Sequence, residues 1–162
     1  AVIDSRSAGS ELVLLVKKIC ELIESGTDFE TVVEKAELYS RHTHVVFALS
    51  SFNNLVKNGR MSKIVGFVAN KLGFWGIGIG SEQGTIEIKQ KIRGSKKALD
   101  AIIEDMKERG YNCGKVVISH CRNAEFAESV KSAIQSVWDK AEVHARGLCS
   151  YYAEKGGLII GF

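Results

Sequence analysis

The sequence predicts an α/β fold, a layered mixed sheet flanked by helices. Segments with apolar residues at helical spacing alternate with short apolar runs of strand length, the pattern of βαβ units. The runs His44–Leu49 (HVVFAL) and Val116–Ser119 are almost continuously apolar, as strands covered on both faces are. Phe74–Ile79 and Thr85–Lys91 flank a turn at Gly80–Gly84 and read as a hairpin, which makes the sheet mixed.

Each element follows in order. Apolar Val2-Ile3 running into Asp4-Ser5 reads as the end of a buried strand whose neighbours lie upstream. The chain is therefore expected to be part of a longer protein, with Val2–Ser5 left unpaired or lying against a partner chain. Ser10 is expected to cap a helix with Leu12, Leu15, Val16, Ile19 and Ile23 inside, stopped by Gly26. Thr27 or Asp28 caps the next, with Phe29, Val32, Val33 and Ala36 inward. A boundary is drawn near His42–His44. Residues 1–42 then hold a strand and two helices left from an N-terminal α/β domain, and residues 43–162 form the C-terminal α/β domain. Beyond it, a short helix from Ser51 or Phe52 to Val56 ends at Asn58-Gly59, and Ser62 caps a helix through Lys71. Ser95 caps a helix to Arg109 with Ala98, Ile102 and Met106 inside. A helix from Asn123 or Ala124 to Trp138, a strand Ala141–Arg146, and an apolar run Leu158–Ile160 after Gly156-Gly157 complete the chain.

Composition narrows the function classes. The 162 residues are 45% hydrophobic and 25% charged, the balance of a soluble protein with a real core. The net charge of +3 comes without a basic block, which argues against nucleic acid. No apolar run has the length of a membrane span, and the first residues lack the signal-peptide pattern, so no stable membrane insertion and a cytoplasmic location are expected. Cys20, Cys113, Cys121 and Cys149 show no CxxC spacing and read as buried or half-buried thiols.

Several motifs invite chemistry. Gly76-Ile77-Gly78-Ile79-Gly80 is not GxGxxG and leads into a strand, so it reads as a strand with close backbone contacts or a smooth groove wall rather than a phosphate loop. His42 and His44 would share a strand face, but no cysteine or carboxylate cluster completes a metal site, and no metal is expected. His120-Cys121 ends a strand, where α/β sheets bind ligands, yet adjacent residues on a turn suit a histidine that pins the turn better than a Cys/His nucleophile. Arg60 in Asn58–Lys63 and Arg93 in Lys91–Lys97 stand on short loops held by rigid elements, where a guanidinium fork suits carboxylate or phosphate. Lys96 and Lys97 read as solvated.

At these residues the chain resembles the DegV family. VIDSRSAG is similar to that family's strand ending in I-D-S, and Leu55–Ser62 to its L-x-K-G-G-R-I-S. Lys91–Ala98 is similar to K-x-R-G-x-K-K-A, and Ile118–Asn123 to I-x-H-A-x-N, so the resemblance covers essentially the whole chain. It implies two α/β domains with a long-chain fatty acid between them, the tail in an apolar tunnel of the C-terminal domain. It implies a carrier and not an enzyme, which presents the carboxylate to a fatty-acid kinase and needs no cofactor besides the bound lipid. The N-terminal domain would precede Ala1.

The closing motif departs from the family's T-H-T-G-P-G-A-L-G. Here it runs Tyr151-Tyr152-Ala153-Glu154-Lys155-Gly156-Gly157-Leu158, with Tyr152 at the histidine position. A tyrosine hydroxyl can donate one hydrogen bond to a carboxylate but brings no imidazole. The family's K-P-I strand is Trp75-Gly76-Ile77 here, which implies a tunnel wall of different shape. The resemblance thus implies Tyr152, or Tyr151 one residue away, at the carboxylate, and Arg60 and Arg93 at the kinase or the acyl phosphate. Ile64, Phe67, Val68, Phe74, Trp75 and Ile77 supply the tail lining, against a background of ordinary core packing. Two alternatives stand beside the carrier. One is an enzyme using Arg60, Arg93 and His120 on a phosphorylated or carboxylated small molecule; the other is a regulatory module whose lipid is structural.

Overall fold

The computed structural model describes residues 1–60, 74–147 and 150–162. The expected helix Ser62–Lys71, the expected lining residues Ile64, Phe67 and Val68, and Cys149 lie outside the described residues. Strands β1 (Val45–Leu49), β2 (Phe74–Gly80), β3 (Ile86–Arg93), β4 (Lys115–His120), β5 (Glu142–Gly147) and β6 (Leu158–Gly161) form one six-stranded sheet of order β3-β2-β1-β6-β4-β5. β4 and β5 pair parallel and the other neighbours antiparallel. The sheet is mixed, as the hairpin predicts. The last strand enters its centre, with Ile159 opposite both Phe47 and Ser119.

Because side chains alternate along a strand, the sheet has two distinct faces. One carries Val46, Ala48, Ile77, Val116, Ile118, Leu158 and Ile160, all fully buried. Helices α4 (Ser95–Glu108) and α5 (Ala124–Val137) close it. The expected inner face of α4, Ala98, Ile102 and Met106, is buried there beside Ala127, Val130 and Ile134 of α5. Each such aliphatic side chain contributes about 1.5–3 kcal/mol on burial, which makes this layer the main core.

The other face is built differently. Gly76, Gly78 and Gly80 fall on it, and a Cβ at Gly76 or Gly78 would overlap the ring of Phe52 or Phe47. The glycine series therefore makes close backbone contacts: it lets two aromatic rings lie against bare strand. A bulge between Ile77 and Gly78 leaves Lys89 as the extra residue of β3 and reverses the strand's parity. Ile88 consequently packs on the glycine face while Ile92 packs on the helix-covered one. Lys89 Nζ then reaches Asp105 Oδ1 on α4 at 3.0 Å, and Arg109 Nε holds the other oxygen at 2.8 Å, so this buried carboxylate is paired on both sides.

Helix α1 (Ser10–Glu24) lies over β4 and β6 on the glycine face, and α2 (Phe29–Ser40) packs on α1. Ser10 is not a cap. Gly9, at φ 68°, holds that position, and Ser10 Oγ bonds to Ile159 O (2.7 Å) and Ser119 Oγ (2.8 Å) beneath the helix. Leu14, Leu15 and Leu22 point inward, while Leu12, Val16 and Ile23 are exposed. The run Leu12–Val16 is apolar at every position, so spacing alone could not choose the buried stripe. Asp28 caps α2 by accepting from Thr31 N at 3.0 Å, but Phe29 faces outward. Ser95 likewise opens its helix without a side-chain cap, behind Gly94 at φ 91°.

Val2–Ser5 forms no strand: Val2 is exposed, and Arg6 Nη1 donates to Glu82 O at 3.1 Å as the segment passes the β2–β3 turn. Cys121 is buried, whereas Cys20 and Cys113 are exposed rather than buried or half-buried. No helix among the described residues is long and apolar enough to cross a membrane.

Adding one methyl group at Gly78 tests the ring contact. Gly78→Ala should destabilise the protein by about 1–3 kcal/mol in urea unfolding, because it meets both the Phe47 ring and the backbone oxygen of Glu87. An unchanged midpoint would show that the ring is not seated on the strand.

Candidate functional site

One end of the sheet gathers the polar loops. Leu49 pairs with Gly76, His120 with Leu158 and Phe74 with Arg93, so β1, β3 and β4 end there and β2 and β6 begin there. The loops at these strand ends are knitted by backbone and side-chain bonds. Cys121 N donates to Gly157 O (2.9 Å), Gly156 N to Cys121 O (2.8 Å) and Ser50 Oγ to Lys155 O (3.1 Å). Gly156 sits at φ 98°, and a Cβ there would come within 2.6 Å of Ser50 Oγ, so only glycine suits this crossing. His120 Nδ1 accepts from Asn123 N at 3.3 Å, and Asn123 Nδ2 donates to Gly156 O at 2.8 Å. This histidine pins the strand-to-helix turn.

Two elements meet above these loops: α3 (Asn53–Lys57), which follows β1, and the single turn α6 (Ser150–Ala153), which precedes β6. Asn58 Nδ2 donates to Tyr151 Oη at 2.9 Å, and Asn54 Nδ2 donates to Tyr151 O at 2.7 Å. The guanidinium of Arg60 stands over the Tyr152 ring at 5.9 Å, within cation–π range. The two tyrosine rings meet edge to face at 5.1 Å, and both are exposed. Glu154 accepts from Ser51 Oγ (2.6 Å) and Asn54 N (2.8 Å). The same two helices contribute Leu55 and Ala153 to a buried apolar floor completed by Phe47, Leu49, Phe52 and Cys121, with Ile88 and Ile159 packed against it.

The structure thus brings Arg60, Tyr151 and Tyr152 together, and strand register puts Arg93 at the same end of the sheet. Phe74 falls on the glycine face by strand alternation. Trp75 and Ile77 fall on the opposite face, Trp75 at 4.8 Å from Phe126 and Ile77 inside the closed core. Asn54, Asn58 and Glu154 were not singled out in the sequence. The i, i+4 spacing of the two asparagines on a short helix was the available signal. A separate apolar concavity of about 350 Å³ lies between α1, α2 and the N-terminal segment, lined by Ile3, Ile19, Ile23, Phe29 and Val32 among others. Among the described residues no group of three His, Cys, Asp or Glu is placed to hold a metal.

The sequence profile of the DegV family matches residues 1–153. The chain belongs to the DegV family. A DegV domain-containing protein of Streptococcus pyogenes serotype M1 is 44% identical over 164 residues, covering 99% of this chain and 59% of that relative. Two solved structures align closely. A DegV family protein from Eubacterium eligens loaded with heptadecanoic acid has a TM-score of 0.95 at 36% identity, with 99% of this chain and 59% of that one covered. The fatty acid kinase B3 protein of Streptococcus pneumoniae loaded with linoleic acid has a TM-score of 0.96 at 41% identity, covering 100% of this chain and 59% of that one. This DegV chain therefore spans about three fifths of the length of the relatives it matches.

The loop knot can be checked through Asn123. Asn123→Ala removes the donor to Gly156 O and should cost about 1 kcal/mol in denaturant unfolding. An unaffected stability would mean the bond does not hold the β4–α5 turn to the β6 entrance.

Proposed function

We propose that this chain is the lipid-binding part of a fatty-acid carrier that works in the cytoplasm. A long-chain fatty acid lies with its tail on the glycine-faced side of the sheet, over Phe47, Phe52, Leu55, Phe74 and Ile88. Its carboxylate stands at the loop end beside Tyr151 and Tyr152. The protein presents that carboxylate to a fatty-acid kinase, and Arg60 and Arg93 meet the phosphate during transfer. The chemistry of phosphorylation belongs to the kinase, so the carrier is no catalyst.

The observation that carries this reading is a buried apolar cluster whose Leu55 and Ala153 come from the two short helices beside which Arg60, Tyr151 and Tyr152 meet. A fatty acid is one anion on a long apolar tail, and its site needs a few polar groups at the edge of an apolar surface. Each buried methylene contributes about 0.8 kcal/mol before costs, so the tail dominates affinity and the mouth sets orientation. The bound heptadecanoic and linoleic acids of the two solved relatives support the same ligand class here. Trp75 and Ile77, packed with the helices, shape the sheet from behind, and the tail wall is assigned to Phe74 and the Phe47 side.

The test uses the full-length protein. Denaturing mass spectrometry should find a co-purified long-chain fatty acid, and an empty protein that also fails to load from fatty-acid micelles would overturn the reading. Arg60→Ala and Arg93→Ala should keep the lipid while slowing phosphorylation at least about tenfold in a reconstituted kinase assay, as expected where a guanidinium contacts phosphate charge. Equal loss of lipid and turnover would contradict this division of labour.

A further inference from the structure

Resting on the fatty-acid reading above, we infer that Glu154 is a positioning residue, one that clasps α6 to the β1–α3 loop and so makes Tyr151 the hydroxyl that donates to the ligand carboxylate. The starting observation is backbone geometry. Glu154 adopts φ 51°, a region that side-chain-bearing residues seldom occupy and that persists only where surrounding contacts hold it. Those contacts come from its own carboxylate. One oxygen accepts from Ser51 Oγ at 2.6 Å and the other from Asn54 N at 2.8 Å, across about a hundred residues of chain.

From Asn54 the clasp runs to the tyrosine. The Asn54 side chain donates to Tyr151 O at 2.7 Å. The Asn54 backbone carbonyl accepts from Asn58 Nδ2 at 2.8 Å, and the same Asn58 nitrogen donates to Tyr151 Oη at 2.9 Å. An amide nitrogen has two protons, so both of Asn58's are spent in these bonds. Tyr151 Oη therefore receives a hydrogen bond and keeps its single proton to give away. A hydroxyl that already accepts from a fixed amide turns its proton away from that amide, and its natural partner is an anion. Tyr152 has another task, with its ring serving as the platform under Arg60. The clasp thus assigns distinct roles to the adjacent tyrosines: Tyr151 donates and Tyr152 supports the cation.

The test separates positioning from mere support. Glu154→Gly removes both bonds and relieves the backbone; Glu154→Gln keeps one acceptor oxygen. In the full-length protein, Tyr151→Phe should weaken fatty-acid binding about tenfold in the native background. In the Glu154→Gly and Asn58→Ala backgrounds the same change should cost less than about twofold, with Glu154→Gln intermediate. An undiminished tenfold loss in all backgrounds would overturn the inference, as would Tyr152→Phe taking over the effect. A second readout needs no lipid. The Asn54 amide should exchange at least about tenfold faster in Glu154→Gly, and the Tyr151 Cζ resonance should move in both Glu154→Gly and Asn58→Ala. Unmoved exchange and resonance would sink the clasp. A native protein that binds no fatty acid but shows both changes would sink the carrier reading and leave the clasp standing. Should Glu154→Gly fail to fold, Glu154→Gln and Asn58→Ala carry the same comparison.

Discussion

Phe47 and Phe52 lie against a strand face that is bare at Gly76 and Gly78, and the geometry of the site descends from that contact. With any side chain at Gly76 or Gly78 the rings would be lifted off the sheet. Their seating keeps the floor low and anchors the start of α3, because Phe52 immediately precedes that helix and is fully buried. From α3 follow Asn54, Asn58 and Arg60, and through them the placement of both tyrosines. A run of glycines that resembles a phosphate loop in sequence thus serves an aromatic contact, and the polar groups of the mouth are set by it.

The opposite face carries the larger core. Ala98, Ile102 and Met106 interlock with the sheet and with α5 in a closed core, and Asp105 is held there by Lys89 and Arg109. Removing either cation would leave a buried carboxylate with half its partners, a costly state. The bulge at Lys89 links the two faces: it aims one lysine at the helix layer and turns Ile88 toward the floor.

How far this was legible depends on the range of each interaction. The α4 face, the hairpin and the apolar runs that become strands were readable because period and turn chemistry are local. The buried stripe of α1 was not, since Leu12–Val16 offers no polar residue to break the symmetry, and the choice is made by Ser119 and Ile159 from the far end of the chain. Arg60 was singled out by its place on a short loop, and the tyrosines were reached through motif resemblance, which also located the departure at Tyr152. Asn54, Asn58 and Glu154 escaped because their partners lie about a hundred residues away, and each looks like an ordinary loop or cap residue in isolation. Cys20 and Cys113 were misread for the related reason that exposure of a small residue leaves no periodic trace.

In the proposed carrier the acyl tail lies on the glycine face and the carboxylate at the loop end. A fatty acid bearing a photoreactive diazirine near its methyl end tests that placement most directly, with labelled residues read by peptide mass spectrometry on the full-length protein. Adducts are expected on the floor, at Phe47, Leu55, Phe74 or Ile88. Adducts confined to the α4–α5 layer, or to the concavity lined by Ile19, Ile23 and Phe29, would contradict it.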